Sequence, residues 1–222
     1  METARMIIRI GSLPITDVVL TSWGLTLLLG LGSWLATRRL QLDPGPVQTA
    51  LEGIVSLIET AVKEVLPQQA PQVMPFIGTL WLFLVLANLA GLIPGLHSPT
   101  RNLSVTAALA VLVFLATHWF GIRSQGWASY LRHYLTPVPI LLPFHLLSEI
   151  TRTVALAVRL FGNIMSLEMA ALLVLLVGGL LVPIPLLLLH VVEALVQAYI
   201  FGMLALIYIA GGIQAQQQRQ QD

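Results

Sequence analysis

The chain has 222 residues, of which 57% are hydrophobic and 9% charged, far more apolar surface than a water-soluble domain of this size can bury. Its 11 basic and 10 acidic residues leave a net charge of +1, so there is no general basic field of the kind nucleic acid would need, and nucleic acid is not expected as a partner. The absence of cysteine removes disulfides, thiolate metal sites and cysteine nucleophiles.

Residues 1–17 read as an outer N-terminal segment, with Arg5 and Arg9 ahead of an apolar stretch from Val18 to Ala36. That stretch is too long for a signal-peptide core and ends in Thr37-Arg38-Arg39 rather than a small-residue cleavage site, which predicts a retained first span over 18–37. Residues 46–66 differ in kind. Gln48, Glu52, Glu59, Lys63 and Glu64 interrupt Val47, Leu51, Ile54, Val55, Ile58, Val62 and Val65 at helical intervals, with Pro46 in the first turn and Pro67 past the end. This amphipathic helix either lies in the membrane interface, packs against a partner helix, or is an ordinary surface helix. The second span is expected over 75–94, where the apolar run Phe76 to Ile93 stops at Pro94-Gly95. The third is expected over 103–122, where Val105 to Ile122 is closed by Arg123. From Ile140 to Ile213 the chain is apolar for longer than one crossing requires, broken once around Gly178-Gly179 and Pro183-Ile184-Pro185. It reads as a helical hairpin with long arms, 140–178 and 185–213, followed by a glutamine-rich cytoplasmic tail, 214–222. The fold class is all-α: a polytopic membrane protein of about five membrane helices plus one amphipathic interfacial helix, in a single membrane domain.

Basic residues orient the chain. With the N-terminus outside, the inner segments hold Arg38, Arg39, Lys63, Arg123, Arg132 and Arg219, while the outer ones hold Arg5, Arg9 and Arg101, a bias that places the C-terminus inside.

The two long arms carry polar residues where they are expensive: His145, Ser148, Glu149, Arg152, Arg159, Asn163, Ser166 and Glu168 on the first, and His190, Glu193 and Gln197 on the second. At about 100° per residue, Arg152, Arg159 and Ser166 share one face with Asn163 about 40° away, whereas Glu168 points about 180° from Arg159 and lies roughly 13 Å along the axis. Arg159 and Glu168 therefore cannot pair on one helix. His190, Glu193 and Gln197 fall at i, i+3 and i+7 and form one polar stripe. The layout suggests an arginine presented to something outside its helix and titratable groups lining a wet path. Blander readings remain for several members. Glu149 and Arg152 can be a local ion pair, His190 a satisfied core histidine, and Asn163 and Gln197 interhelical hydrogen-bond glue. Arg159 resists such a reading because no acid shares its face within a turn. His97, His118 and His133 lie near span ends or loops and receive no role.

Several chemistries lack their residues. The single lysine, Lys63, follows Val62, so there is no phosphate-cradling Gly-Lys-Ser/Thr loop and no nucleotide cofactor is expected on this chain. His190-x-x-Glu193 has no second histidine at zinc-protease spacing, so no metal is expected. No Gly-x-Ser-x-Gly occurs around Ser148 or Ser166, which argues against an enzyme acting alone.

Ala157-Val158-Arg159-Leu160-Phe161-Gly162-Asn163-Ile164-Met165 closely resembles the signature of the F-type ATP synthase a-subunit family, a membrane arginine followed by Leu-Phe-Gly-Asn. His190 and Gln197-Ala198-Tyr199-Ile200-Phe201 resemble that family's last-helix pattern. Weaker similarity covers Pro44 to Thr49, Asn88 to Pro94 and Asn102 to Thr106. The resemblance implies a stator subunit of a rotary motor, its hairpin strongly tilted against a ring of c subunits that each carry a membrane carboxylate. It further implies that Arg159 is the essential arginine facing the ring, with Gln197 beside it, Asn163 supporting the same surface, and Glu168 and His190 in the outer half-channel. Glu149 and Ser148 are candidates for the inner path, and Glu193 is an extra acid with no place in the motif. Thr153 stands where relatives often have proline. The implied partners are the c-ring, b-type peripheral stalk subunits, the F1 sector indirectly, and the lipid of an energy-transducing membrane, the bacterial plasma membrane. Two other readings are an independent transporter whose Arg159 binds an anion at the midplane, and an intramembrane metal hydrolase using His190 and Glu193.

Overall fold

The computed structural model of the protein describes residues 6–10, 13–38, 45–93, 98–126, 142–178 and 183–214. Residues 179–182, the tail beyond Gln214, His97, His133, and Arg5, Arg39, Arg132 and Arg219 of the orientation argument lie outside the described residues. So do the side chains of His145 and Glu168, although both positions are helical.

Ahead of the helices, β1 (Met6–Ile10) and β2 (Leu13–Thr16) pair antiparallel, with Ile10 opposite Leu13 and Arg9 opposite Pro14. The β-branched residues Ile7, Ile8, Ile10 and Ile15 favour this local pairing, the one departure from helix beyond turns among the described residues.

Helix α1 (Asp17–Thr37) is apolar on all sides and contributes no buried residue. Its hydroxyls turn back on the helix, Thr21 Oγ1 donating to the Asp17 carbonyl at 2.9 Å and Ser22 Oγ to that of Val18 at 2.8 Å. Folding the hydroxyl donors inward in this way makes a helix with Thr and Ser compatible with hydrocarbon. At its end the Arg38 guanidinium lies 4.8 Å from the Trp34 ring, the aromatic–basic pairing suited to a headgroup boundary.

Helix α2 (Pro46–Val65) starts with proline in its first turn after Gly45 and buries only Val62. Its polar side is tied along the helix by Lys63 Nζ to Glu59 Oε1 at 2.6 Å and Gln48 Nε2 to Glu52 Oε1 at 2.8 Å. Helix α3 (Ala70–Leu89) begins ahead of the apolar run that starts at Phe76, because Pro71 can open a helix and Pro75 sits close enough to the start that little ladder is lost. Two 3-10 turns, Ala90–Leu92 and Pro99–Arg101, close α3 and lead to α4 (Leu103–Gln125), which is capped by Asn102 accepting from the Ser104 amide at 2.9 Å. Gly126, at φ 82, ends α4 in the region that favours glycine.

The hairpin arms are α5 (Leu142–Gly178, 37 residues) and α6 (Pro183–Gln214, 32 residues). At about 1.5 Å per residue they run roughly 55 and 48 Å, so against a hydrocarbon core of about 30 Å both must tilt or project. Among the described residues, Asp17–Thr37, Ala70–Leu92, Leu103–Ser124 and Leu187–Ile213 are long and apolar enough to cross a membrane. The fifth long helix, α5, bears the charges and is held against two of these, packing on both α4 and α6. The architecture is that of a helical polytopic membrane protein.

Helix α6 runs through the middle of the bundle, against α3, α4 and α5. Small residues make room for it. Gly202 lies directly under the Trp81 indole, and any Cβ there would collide with the ring. Trp81 also stacks on Tyr199 (centroids 6.0 Å apart, 5° between planes) and donates from Nε1 to the Tyr199 carbonyl at 3.3 Å. Where lipid is as apolar as leucine, such close backbone approach and cross-helix hydrogen bonding supply the association that hydrophobicity cannot.

Candidate functional site

The site begins with a hydrogen bond between the two arms. Asn163 Nδ2 on α5 donates to Gln197 Oε1 on α6 at 2.7 Å, and Gln197 is 2% exposed. Because only four residues separate the helices in sequence and both partners stand almost equally far from the facing helix ends, Gly178 and Pro183, the arms are antiparallel and this bond fixes their register.

Arg159 lies one turn before Asn163, on the outward side of α5. Arg152, Ala155, Asn163 and Ser166 share its face and are exposed, with Val154 and Val158 exposed beside them. Leu156, Leu160 and Ile164 point the other way, into the core. Among the described residues no carboxylate lies within ion-pair distance of the Arg159 guanidinium. A cation is thus held on the outer face of a membrane bundle, in a mainly apolar setting, by a helix anchored from behind.

Two polar clusters flank this level. On the side toward the Gly178 and Pro183 helix ends, His190 is seven residues before Gln197, about 10 Å along the axis, at a height close to that of Glu168. His190 is 7% exposed, and its Nε2 has no protein partner among the described residues. A methyl group placed on Gly91 would sit 3.8 Å from that nitrogen. Nearby, the fully buried Asn88 donates from Nδ2 to the Ala194 carbonyl of α6 at 3.1 Å and accepts at Oδ1 from Thr100 Oγ1 at 2.8 Å. The Thr100 and Ser98 hydroxyls are 2.6 Å apart, and Ser98 Oγ reaches the Ala87 carbonyl at 2.8 Å. Two hydroxyl hydrogens serve three contacts, so the chain of bonds can point toward Asn88 or toward Ala87.

On the other side, Glu149 lies ten residues before Arg159, about 15 Å away along the axis. Its Oε2 is 3.7 Å from His118 Nε2 on α4. Arg152 turns to the Tyr208 ring of α6, 5.9 Å from its centroid. The structure therefore directs these two side chains to separate neighbours on other helices, whereas the sequence left a local Glu149–Arg152 pair open. Ser148 is exposed, and Glu193 is half-buried on α6. Of the residues singled out from sequence, the structure joins Asn163 with Gln197 and places His190 in the bundle interior. Glu168 is on α5 at the level described, but its side chain lies outside the described residues.

Asn88, Ser98, Thr100 and His118 were not selected from sequence. Asn88 and His118 each interrupt an apolar run, and that interruption is the signal that could have marked them.

The family model described as ATP synthase A chain matches residues 19–210. The chain belongs to the ATP synthase A chain family. It is 64% identical over 219 residues to "ATP synthase subunit a 2" of Pelobacter propionicus, covering 99% of this chain and 96% of that protein. It is 56% identical to "ATP synthase subunit a" of Legionella pneumophila strain Philadelphia 1, covering 98% of this chain and 95% of that one. With "ATP synthase subunit a 1" of Hahella chejuensis it shares 60% identity, covering 93% and 88%. As a family member the chain is a membrane protein, and the matched region takes in Arg159, both polar clusters and the Asn163–Gln197 bond.

Proposed function

We propose that this chain is the ion-translocating stator subunit of a rotary ATP synthase, with Arg159 facing a ring of partner subunits that each carry a membrane carboxylate. The observation that carries the reading is Arg159 itself: an outward-facing cation on a membrane helix, with no carboxylate of its own bundle beside it among the described residues.

A ring carboxylate surrounded by lipid stays protonated, because burial disfavours its charged form by several pKa units. When rotation brings it to Arg159, a fixed positive charge at about 4 Å and an effective dielectric near 20 contributes on the order of 4 kcal/mol, or roughly three pKa units, and favours proton release. Asn163 and Gln197 hold the surface around Arg159, their bond resisting sliding of one arm on the other. Reprotonation from the opposite side lets the carboxylate re-enter lipid. The electrical part of the driving force is about 2.3 kcal/mol per charge per 100 mV.

The two polar clusters on opposite sides of Arg159 supply the offset routes this cycle needs. Glu168, His190 and Glu193 belong to the outer route, and Glu149 and Ser148 to the inner one. Arg159 between them keeps protons from crossing directly, since a hydronium would meet a fixed cation. ATP chemistry belongs to other subunits. The chain sits in the bacterial plasma membrane, N-terminus outside and C-terminus in the cytoplasm, alongside the c-ring and the peripheral stalk.

The test is Arg159→Ala in the assembled enzyme, assayed for ATP-driven proton pumping into inverted vesicles. Pumping is expected to fall to background while the complex still assembles. Pumping that persists would refute the assignment.

A further inference from the structure

The contact between His118 and Glu149 carries chemistry that neither residue suggests alone. His118 sits in the last third of α4, inside an apolar run, and its Nδ1 is 2.9 Å from the Phe114 carbonyl oxygen. A carbonyl oxygen can only accept, so Nδ1 carries a hydrogen. In a neutral imidazole that leaves Nε2 as a hydrogen-bond acceptor, and this is the atom facing Glu149 Oε2 at 3.7 Å. Two acceptors face each other, and one added proton turns the contact into an attraction wherever it resides, on the ring or on the carboxyl. The Phe114 ring, 4.3 Å from the imidazole centroid to centroid, fixes the ring from one side. The two side chains are 26% and 21% exposed, so they are neither sealed in the core nor free in solvent.

We propose that His118 and Glu149 form a proton-exchange pair on the inner route to Arg159, with His118 as an additional functional residue of ion translocation. The inference rests on the stator reading above. The pair lies about 15 Å along α5 from Arg159, on the side away from His190, where a proton leaving or approaching the ring carboxylate must travel. In each cycle the pair takes one proton at Nε2 or Oε2 from one side and gives one up to the other, ending as it began. The 3.7 Å separation suits a group that must release what it binds, since a short, well-aligned bond would hold the proton in place. Because α4 supplies one member and α5 the other, helix packing sets the gap.

The experiment uses vesicles containing the assembled complex, stripped of the soluble sector, with passive proton flux driven by a potassium diffusion potential. Glu149→Gln and His118→Gln are each expected to lower the flux roughly tenfold. The double variant should be no worse than the more severe single one, because the two act as a unit. The exchanged variant, His118→Glu with Glu149→His, keeps one imidazole and one carboxyl in contact and is expected to restore most of the flux, which a purely structural role would not. Flux unchanged in the near-isosteric Glu149→Gln, or lost in both single variants without recovery on exchange while the ring still co-purifies, would overturn the pair. Arg159→Ala in parallel separates the two levels. Persistent ATP-driven pumping in Arg159→Ala would sink the stator reading, whereas pumping lost there with native flux in the His118 and Glu149 variants would sink only this inference.

Discussion

Helices α5 and α6 are two arms of one hairpin, both too long for a perpendicular crossing and both interrupted by polar residues, yet they dispose of those residues in opposite ways. On α6, His190 and Gln197 turn into the bundle, where the same face carries Ala194, Ala198, Phe201, Gly202 and Ala205. On α5, Arg159 and Ser166 look outward, Arg152 and Asn163 on the same face reach to Tyr208 and Gln197 of α6, and Leu156, Leu160 and Ile164 anchor the helix in the core. On the inner arm Gln197 is answered by this chain's own Asn163, whereas the buried His190 Nε2 has no protein partner among the described residues. The outward arginine is not answered by a carboxylate among the described residues, and a charge at membrane depth without an internal partner calls for one outside. The contrast divides the molecule into a packed scaffold and an outward surface that, on the proposed reading, another protein completes.

The contrast can be broken most severely on the scaffold side. Gly202→Val places a branched side chain against Trp81, where no rotamer avoids the indole, and is expected to cost about 3 kcal/mol or more by overpacking. Thermal inactivation of the purified complex and the yield of assembled enzyme should both fall sharply; near-native values would mean α3 and α6 pack less closely than described. A middle-sized effect is expected where scaffold and surface meet. Asn163→Leu strands the buried Gln197 amide and should cost roughly 1–2 kcal/mol. A double-mutant cycle with Gln197→Leu should return a coupling energy of about 0.5 kcal/mol or more, and zero coupling would remove the bond as the register pin. The smallest effect belongs to the exposed side of α5, where Ser166→Ala should change stability by no more than about 0.5 kcal/mol in thermal unfolding of the complex. A larger loss that persists in the ring-free subunit would show that this face is packed within the chain after all.

Much of this division was legible in the residues. The all-helical membrane class follows from runs of apolar length, and the presentation of Arg159 beyond its own helix from its sharing a face with Arg152 and Ser166 on which no acid lies within a turn. The amphipathic α2 announces itself through Glu59 and Lys63 at i, i+4. The helix start at Ala70 was harder to see: the span was expected only from 75, and Pro71 and Pro75 hide the earlier start until one allows that prolines near a helix start cost little. The Asn88–Thr100–Ser98 cluster and the His118–Glu149 contact were not legible, for a common reason. Each joins residues from different helices, and periodicity along one helix orders only the faces of that helix. Nothing in one-dimensional spacing distinguishes His118, which meets a carboxylate on α5, from a histidine merely near a span end. The hairpin β1–β2 escaped for a smaller reason: its strands are too short for alternation to register.

The central claim is that Arg159 waits for a carboxylate that belongs to another subunit. A density map of the assembled membrane sector tests it most directly, by revealing what stands opposite the guanidinium. The account predicts a rotor helix packed along the outward face of α5, with a carboxylate passing within about 4 to 5 Å of Arg159, close enough for the attraction calculated above. A guanidinium bound to an acid of its own chain, or turned to the headgroups with lipid along that face, would contradict it.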